Sequence, residues 1–517
     1  MKCPFFIKSF TGFTALAVIA GSAWLLYLVD DGLGIDWPQN AVRNWEQFGL
    51  FALHGKLVVN PGGFEVTTHP EIYKGMSPVC LYPAYFVTEL FAWTGLGTMS
   101  FHILLALVVF WAVWELLGRD DFAFVVAAAA VLCPGYMRWQ KFLDPNTIPV
   151  LLSLPYTVAV LSILKRQRLG FGSVIGFFAL TLGFASLNWT TAWVYGPLLL
   201  LLLGSPGINR RSLAIFVGLA VASSGLIVIM SVLAKSGGGH PGGGASGLVE
   251  FLRGYTWGNT GYGLDLTTSK ALLRLAFVNA IGLLPLLLVG GYAVANRIRR
   301  GGRIRWLAAA PIGLAAAEVG VMRNYFGHHP WMAAPVLWMG LIFSVTVLRI
   351  CVESSPATTN QEIISHKKPL FVLTFSLLCL GYGLAVMVFF RANAANELSL
   401  VSLIRHRTER SDCIVVVKNV DPKTAHMASR FDGVFDRRVV VVDDLKDLPA
   451  IEGHIVVLSA VALNHSLELV AQTSSGESNS RSLLQKAAAW FNHSIARRRP
   501  GDRLELAATY FLYEFKP

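Results

Sequence analysis

Eleven apolar stretches divide this chain, and the loops between them alternate in charge. Lys and Arg gather in every second loop, for example at Arg119, Arg210 and Arg211, 297–305 and 366–368. Positive residues beside membrane spans stay in the cytoplasm, so the pattern predicts a cytoplasmic N-terminus and a C-terminal tail on the opposite side. The spans are predicted at roughly 10–29, 98–118, 122–137, 147–164, 171–188, 190–204, 212–234, 276–296, 306–322, 331–350 and 371–390.

Composition points to the same class of protein. Hydrophobic residues make up 54% of the chain and charged residues only 14%, too few to cover a soluble protein of this size. Most of the net charge of +12 lies in short loops beside spans, where it sets topology, so no nucleic-acid partner is expected. The six cysteines show no paired or metal-type spacing, which argues against a disulfide framework and a zinc site.

We predict two domains. Residues 1–390 form a membrane domain with a long outer loop at 30–97, and residues 391–517 form a small extracytoplasmic α/β domain. The first apolar run follows Lys2 and Lys8 without a cleavage site, so it is interpreted as an uncleaved helix. The predicted strands of the tail are 413–417, 439–442, 455–458 and 507–515, with a helix at 481–497.

Several parts of this plan are less regular. The spans 122–137 and 190–204 are short for a hydrocarbon core about 30 Å thick, so tilting, kinking or re-entry is expected. In the outer loop, Ala41, Trp45, Phe48 and Ala52 share one helical face, which predicts an amphipathic helix lying in the membrane interface. The polar residues Arg43, Asn44, Glu46 and Gln47 are predicted to lie away from that face. A half-buried helix is predicted at 77–94. The glycine-rich 235–275 loop is interpreted as a linker, because no Gly-Lys-Ser/Thr follows the glycines.

The first cluster of chemically competent residues comprises Asp30, Asp31 and Asp36, directly after the first span. Asp36 stands three residues before Gln39, a capping-box arrangement that would explain it without any chemistry. Carboxylates at the C-terminal end of a helix interact unfavourably with the helix dipole, which makes Asp30 and Asp31 harder to explain as structural residues. A carboxylate at the edge of a low-dielectric site is suited to accept a proton from a sugar or lipid hydroxyl.

A second cluster, Arg138, Lys141 and Asp144, falls in the predicted outer turn between the third and fourth spans. Two cations at this depth either bind lipid phosphates non-specifically or hold the phosphate of a lipid-linked substrate. Both readings follow from the same spacing.

The third cluster is the predicted outer turn 323–330, which carries Arg323, Tyr325, His328 and His329. Adjacent histidines point in different directions, so hydrogen bonding to a phosphate or sugar is favoured over metal binding. Glu318 precedes the turn within a predicted span, where an ionisable residue is costly and indicates function. Asn188 and Trp189 suit a sugar face, although an ordinary interfacial aromatic belt explains them equally well.

In this order, the motifs resemble the GT-C superfamily of membrane glycosyltransferases, of the protein-mannosyltransferase and lipid A aminoarabinose-transferase type. Asp36 with the following Ala41–Gly49 run is similar to the acidic residue and helix of the family's first outer loop. His69 and Pro70 resemble its His-Pro element, Arg138 and Asp144 its Arg…Asp turn, and Asn188 with Trp189 its Leu-Thr-Lys stretch without the lysine. The turn 323–330 resembles its late Tyr/His turn, so the likeness covers residues 10–390.

The resemblance implies a mainly α, polytopic membrane helix bundle of GT-C type that catalyses inverting transfer of a monosaccharide. The donor would be a polyprenyl-phosphate sugar and the acceptor a glycan, lipid or protein hydroxyl at the outer face of a membrane, most simply a bacterial plasma membrane. It implies an Asp of the first cluster as catalytic base and Arg138, Lys141, Arg323, His328 and His329 as phosphate ligands. Sugar or acceptor contacts would come from Asp144, Asn188, Trp189, Tyr325 and His69, with no cofactor and no obligatory metal.

Two departures and two alternatives stay open. The family's adjacent acidic pair is commonly Asp-Glu, whereas Asp30 and Asp31 precede the best-aligned Asp36, so the sequence leaves three candidates for the base. The Trp-Trp-Asp-Tyr-Gly signature of oligosaccharyltransferases is absent from the tail. A transporter or flippase of lipid-linked glycans is the main alternative, favoured by Glu318 but not by any evident repeat. The other is a membrane scaffold that displays the tail.

Overall fold

The computed structural model describes residues 37–63, 65–72, 78–91, 97–141, 147–165, 171–187, 191–205, 208, 210–236, 268–299, 306–321, 333–353, 368–393, 400–401, 403–404, 406–422, 424–425, 437–449, 454–463, 467–472 and 510–515. These residues fall into two compact units. One comprises the described part of 74–385, and the other joins the described parts of 28–73 and 386–517. The grouping differs from the predicted one, in which the whole of 30–97 belonged to the membrane domain.

The first unit is built almost entirely of apolar helices. Its helices are α2 (Tyr82–Phe91), α3 (Gly97–Leu116), α4 (Asp121–Leu132), α5 (Pro134–Lys141), α6 (Thr147–Leu164), α7 (Phe171–Leu187), α8 (Thr191–Gly204), α9 (Arg210–Ser236), α10 (Thr268–Arg299), α11 (Trp306–Val321), α12 (Ala333–Glu353) and α13 (Lys368–Asn393), the last of which runs past residue 385. A short 3₁₀ turn, Pro78–Leu81, precedes α2, in agreement with the predicted half-buried helix at 77–94.

Three of these helices are long and apolar enough to cross a membrane, at Arg210–Ile227, Leu275–Arg299 and Ala333–Ile350. Shorter apolar helices accompany them throughout the described part of the unit. The predicted spans from 98 onward coincide with a helix to within three residues at either end, with two exceptions. Helix α10 begins at Thr268, eight residues before the predicted span 276–296. The predicted span 122–137 is split, because α4 ends at Leu132 and α5 begins at Pro134 after an extended Cys133.

The helices of the first unit are held by close packing. A Cβ on Gly340 of α12 would lie 2.7 Å from the Cβ of Ala315, so α11 and α12 cross where both residues are small. Elsewhere, Tyr156 stacks on Phe184 with ring centroids 4.2 Å apart and donates a hydrogen bond of 3.1 Å to the hydroxyl of Thr181. Aromatic and small residues therefore provide the contacts that the hydrophobic effect cannot provide between helices in lipid.

The second unit combines a helix of the 30–97 segment with a five-stranded sheet of the tail. The helix, α1 (Trp37–Phe48), is followed by turns and a bridge between Val58 and Ile72. The sheet contains β1 (Cys413–Val417), β2 (Arg438–Val442), β3 (Ile455–Ser459), β4 (Glu468–Gln472) and β5 (Phe511–Phe515) in the order β2-β1-β3-β5-β4.

The sheet is mixed, and its centre is buried on both faces. β1 pairs in parallel with β2 and β3, whereas β5 is antiparallel to β3 and β4. Every residue of β1 and β3 is buried, as expected for central parallel strands with apolar cover on both sides. The predicted α/β character of the tail is confirmed, while β4 was not predicted and the predicted helix at 481–497 lies outside the described residues.

Candidate active site

The helix α1 begins at Trp37, the residue that follows Asp36 in the sequence. Sequence analysis predicted that α1 lies in the membrane interface with Asn44 away from its buried face. That prediction is wrong for Asn44, which is as buried as Ala41 and Trp45, whereas Glu46 and Gln47 are exposed as predicted. Asn40 is buried as well. Ala52, predicted on the apolar face, lies beyond the end of the helix and is exposed. The buried side of α1 therefore packs on protein and carries amides.

The buried amide of Asn44 shows why a polar residue is tolerated there. Its Nδ2 donates to the carbonyls of Val58 and Asn60, at 2.8 and 3.1 Å. Its Oδ1 accepts a hydrogen bond of 2.8 Å from Arg410 of the tail. A buried amide is stable only when its donors and acceptor find partners, and here both donors and the acceptor are used.

Asn60 extends this network toward the predicted His-Pro element. Its Nδ2 donates to the carbonyl of His69 at 3.1 Å, and its Oδ1 accepts from the backbone N–H of Glu71 at 2.7 Å. The side chain of His69 itself is exposed. The backbone around His69 is thus fixed relative to α1, while its imidazole is accessible to a ligand.

In the first unit, two residues of the second predicted cluster lie in the short helix that follows the break between α4 and α5. Arg138 and Lys141 lie in α5, a short helix of their own rather than a turn, which corrects the prediction. Pro134 at the first position of α5 explains the break, since proline lacks an N–H and is well suited to begin a helix.

Buried aromatic residues anchor α5 to α12. Tyr136 stacks on Trp338 with centroids 5.6 Å apart, and both side chains are fully buried. The indole Nε1 of Trp338 donates a hydrogen bond of 3.0 Å to the carbonyl of Ala130, close to the end of α4. Helix α5 also packs against α10. The helix that carries Arg138 and Lys141 is therefore held against two long helices.

The helix α12 also links this region to the third predicted cluster in sequence. Its first residue, Ala333, comes three residues after Pro330, the last residue of the predicted 323–330 turn. Glu318 lies near the end of α11, on the other side of that segment in the sequence, and is buried with an exposed fraction of 8%. The two helices that flank residues 323–330 are thus in direct contact with each other, and one of them contacts α5.

The remaining predicted site residues lie outside the described residues, and so does the predicted first span at 10–29. These undescribed residues are Asp30, Asp31, Asp36, Asp144, Asn188, Trp189, Arg323, Tyr325, His328 and His329. For Arg138 and Lys141 the helix is described but not the side chains. Their proposed roles stay predictions. In the described part of the chain, no three His, Cys, Asp or Glu side chains are grouped to hold a metal ion.

Sequence analysis missed the residues that organise the second unit: Asn44, Asn60 and Arg410. The run Ala41–Gly49 was noted, but its asparagine was placed on the solvent side. A signal was available in the spacing: Asn40 and Asn44 are four residues apart and lie beside Ala41 and Trp45 of the predicted apolar face. Amides at core depth require specific partners. Nothing in the sequence indicated that one partner would come from position 410.

Comparison with known proteins gives a match in structure but not in sequence. No protein-family model matches the chain, and no curated protein matches its sequence. The crystal structure of ArnT from Cupriavidus metallidurans bound to undecaprenyl phosphate matches with a TM-score of 0.51 and 12% identity, over 89% of this chain and 96% of that chain. The chain has a GT-C fold of the ArnT type.

The apo structure of the same ArnT matches over the same shares of both chains, with 12% identity and a TM-score of 0.47. The match to the complex with undecaprenyl phosphate confirms the resemblance to the aminoarabinose-transferase type at the level of the fold. Because the match covers 89% of this chain, it extends beyond the first, helical unit into residues of the second. In the described part of the chain, three helices are long and apolar enough to cross a membrane, in agreement with the predicted membrane location.

Proposed function

We propose that this protein is an inverting glycosyltransferase that moves a monosaccharide from a polyprenyl-phosphate donor to an acceptor hydroxyl at the non-cytoplasmic membrane face. The observation that carries the proposal is the fold, which it shares with an ArnT solved with undecaprenyl phosphate bound. The anchored helix α5 supports it, because it holds two cation-bearing positions next to helices of the same unit.

In the proposed reaction, the acceptor oxygen attacks the anomeric carbon of the sugar. The bond from that carbon to the phosphate oxygen breaks, and its electron pair leaves with the polyprenyl phosphate. Arg138, Lys141, Arg323, His328 and His329 would stabilise the negative charge that develops on the phosphate. The leaving group is a stable anion, so the proposal needs positioning and charge stabilisation but no nucleotide and no metal.

The proton of the acceptor hydroxyl goes to a carboxylate of the first outer segment. Asp36 is the first candidate, since α1 begins at the next residue, and Asp31 and Asp30 are the alternatives. A positioned base of this kind contributes about a hundredfold or more to a rate. Asp144, Asn188, Trp189, Tyr325 and the exposed His69 would contact the sugar or the acceptor.

The decisive experiment incubates the purified protein with a panel of polyprenyl-phosphate sugars, each together with glycan, lipid and peptide acceptors that carry hydroxyls, and measures the release of polyprenyl phosphate. We expect release with at least one donor, and a loss of about a hundredfold or more in Asp36→Asn. Asparagine caps a helix about as well as aspartate, so this variant removes the base and retains the cap.

Parallel variants Asp30→Asn and Asp31→Asn separate the candidates. Normal activity in Asp36→Asn together with loss in one of the other two would move the base to that residue. Full activity in all three variants, or no release with any donor, would overturn the glycosyltransferase proposal.

Sidedness is tested with single cysteines introduced at Ala245 and Gly301 and labelled in intact cells with a membrane-impermeant reagent. The proposed topology places residue 245 outside and residue 301 inside, because the 297–305 loop carries the positive charge. Labelling of residue 301 but not of residue 245 would reverse the topology and remove the proposed site from the outer face.

Transport of a lipid-linked glycan is the second candidate, and the buried Glu318 in α11 is the observation that favours it. A transporter delivers its lipid-linked substrate intact, whereas the transferase releases polyprenyl phosphate. Translocation of intact donor in reconstituted vesicles, without release and with dependence on Glu318, would favour transport.

A further inference from the structure

The turn that carries Arg410 is fixed to the tail sheet. Within this turn, the N–H of Glu409 donates a hydrogen bond of 2.7 Å to Oδ2 of Asp412, whose side chain is buried. The buried Arg437, directly before β2, donates from Nε and an Nη to the hydroxyl and the carbonyl of Thr408, at 3.0 and 2.9 Å. Hydrogen bonds therefore fix the backbone before and after Arg410 in the sequence.

The guanidinium of Arg410 reaches three acceptors on one turn of α1. One terminal nitrogen donates to Oε1 of Gln47 at 2.7 Å and to the carbonyl of Arg43 at 3.3 Å. The other donates to Oδ1 of Asn44 at 2.8 Å. A planar fork of donors is suited to several acceptors at once, and a cation near the C-terminal end of a helix is favoured by the helix dipole.

We call the hydrogen bonds from Arg410 to α1 the Arg410 clamp. A close backbone contact beside this clamp also holds the 30–97 segment on the tail. Gly62 has φ +67°, and a Cβ on it would lie 2.5 Å from the carbonyl oxygen of Arg410 and 3.6 Å from the Cα of Arg437. The 30–97 segment thus approaches the tail so closely that only glycine fits. Both contacts join parts of the chain that are more than 340 residues apart, with the helical unit between them in sequence.

From this geometry we infer that Arg410 is a positioning residue for transfer, which fixes α1 on the tail domain and thereby the start of the helix beside Asp36. The inference rests on the proposed function. Asn44 lies seven residues after Trp37, about 10 Å along the helix, so a rotation at the clamp is transmitted to the start of the rigid helix. The tail domain would then act in catalysis without contacting the donor.

The test compares the full-length Arg410→Ala and Arg410→Lys variants with Arg407→Ala, a control of the same residue type on an exposed site three residues earlier. Two quantities are measured: amide hydrogen exchange in 37–48 and in β1 and β3, and kcat and KM for polyprenyl-phosphate release. We expect faster exchange in α1 alone for Arg410→Ala, with unchanged protection of β1 and β3.

For activity, a displacement of a catalytic group by about 1 Å costs about a hundredfold, so kcat should fall by that order in Arg410→Ala while KM for the donor is unchanged. Arg410→Lys should recover part of kcat, because lysine keeps the charge but not the planar fork. Arg407→Ala should match the unmodified protein in both measurements.

Three results would overturn the inference: unchanged exchange in α1, faster exchange in α1 with an unchanged kcat, or loss of protection in β1 and β3 as well. The last result would make Arg410 a stability residue of the tail. Failure of the proposed function looks different, since the unmodified protein would then release no polyprenyl phosphate while the exchange measurement would still decide whether Arg410 fixes α1.

Discussion

The helical unit and the second unit differ in the kind of contact that holds each of them together internally. In the helical unit, side chains such as Tyr136 and Trp338 stack, and small residues allow α11 and α12 to approach. In the second unit, the join between α1 and the tail is made by the buried amide of Asn44 and by Arg410. Apolar packing is non-directional, whereas a fully used amide accepts only one arrangement of its partners.

This difference has a consequence for function. Helices in lipid retain their contacts through small shifts, because van der Waals contacts are many and individually weak. The segment next to the candidate base is held instead by a few directional bonds whose loss leaves buried groups unpaired. We expect the helical unit to be more sensitive to changes of volume and the second unit to be more sensitive to changes of hydrogen bonding.

The largest effect is expected for Trp338→Ala in the helical unit. Truncation of a fully buried tryptophan removes the stack with Tyr136 and the bond to Ala130, at a cost of about 3–5 kcal/mol. Trp306→Ala is the matched control, because Trp306 is 75% exposed. Thermal unfolding in detergent measures both, and equal effects would show that buried aromatic packing does not hold this unit.

A smaller effect is expected for Asn44→Leu in the second unit. Leucine fills a similar volume but removes the hydrogen bonds of the Asn44 amide to the carbonyls of Val58 and Asn60 and to one nitrogen of Arg410, at a cost of about 1–3 kcal/mol. Glu46→Ala, an exposed site on the same helix, serves as control. Hydrogen exchange in 37–48 gives the local stability, and an unchanged value in Asn44→Leu would remove the contrast between the units.

The smallest effect is expected at a second arginine contact, which lies in the helical unit. Here both partners are charged, since the arginine pairs with a carboxylate. Arg349 of α12 donates to both oxygens of Asp120, at 2.9 and 2.6 Å, and Asp120 also caps α4 through the N–H of Ala123. Desolvation by burial raises the pKa of Asp120, but the hydrogen bonds from Arg349 and from the backbone outweigh it, so the pKa is lowered.

Because the folded pKa is below the unfolded value, the contribution of this pair is complete above about pH 5 and is lost as the pH falls through the folded pKa. Half of the Asp120 side chain is exposed, so the contribution at neutral pH is below about 1 kcal/mol. Asp120→Asn keeps the cap and removes the charge. Its unfolding temperature should approach that of the unmodified protein as the pH falls, and a difference that persists in acid would contradict the assignment.

The fold of the helical unit was largely predictable because hydropathy and helix ends act locally. The predicted span 147–164 matches α6 residue for residue. The break at Cys133 was anticipated only as a short span, since local hydropathy continues across Pro134. In the tail, the predicted strand 413–417 has the same first and last residues as β1. Strand β4 was missed because Glu468–Gln472 form a partly exposed edge strand with few apolar residues.

The candidate site was less predictable, for a physical reason. The polar motifs are visible in the sequence, but the segments around them are held by contacts such as Tyr136 with Trp338, which are separated by some 200 residues and by several helices. The join of Asn44 to Arg410 spans an even longer separation and leaves no periodic pattern. Local sequence therefore indicated candidate residues for the site but not the contacts that hold the neighbouring segments in place.

The most direct test of the account is an experimental structure of the full-length protein with polyprenyl phosphate bound. The account predicts the phosphate between the end of α5 and the 323–330 segment, within hydrogen-bond distance of Arg138 or Lys141 and of Arg323, with one of Asp30, Asp31 and Asp36 within one sugar's width. A phosphate bound elsewhere, or a pore lined by Glu318 and open toward the 297–305 loop, would contradict it.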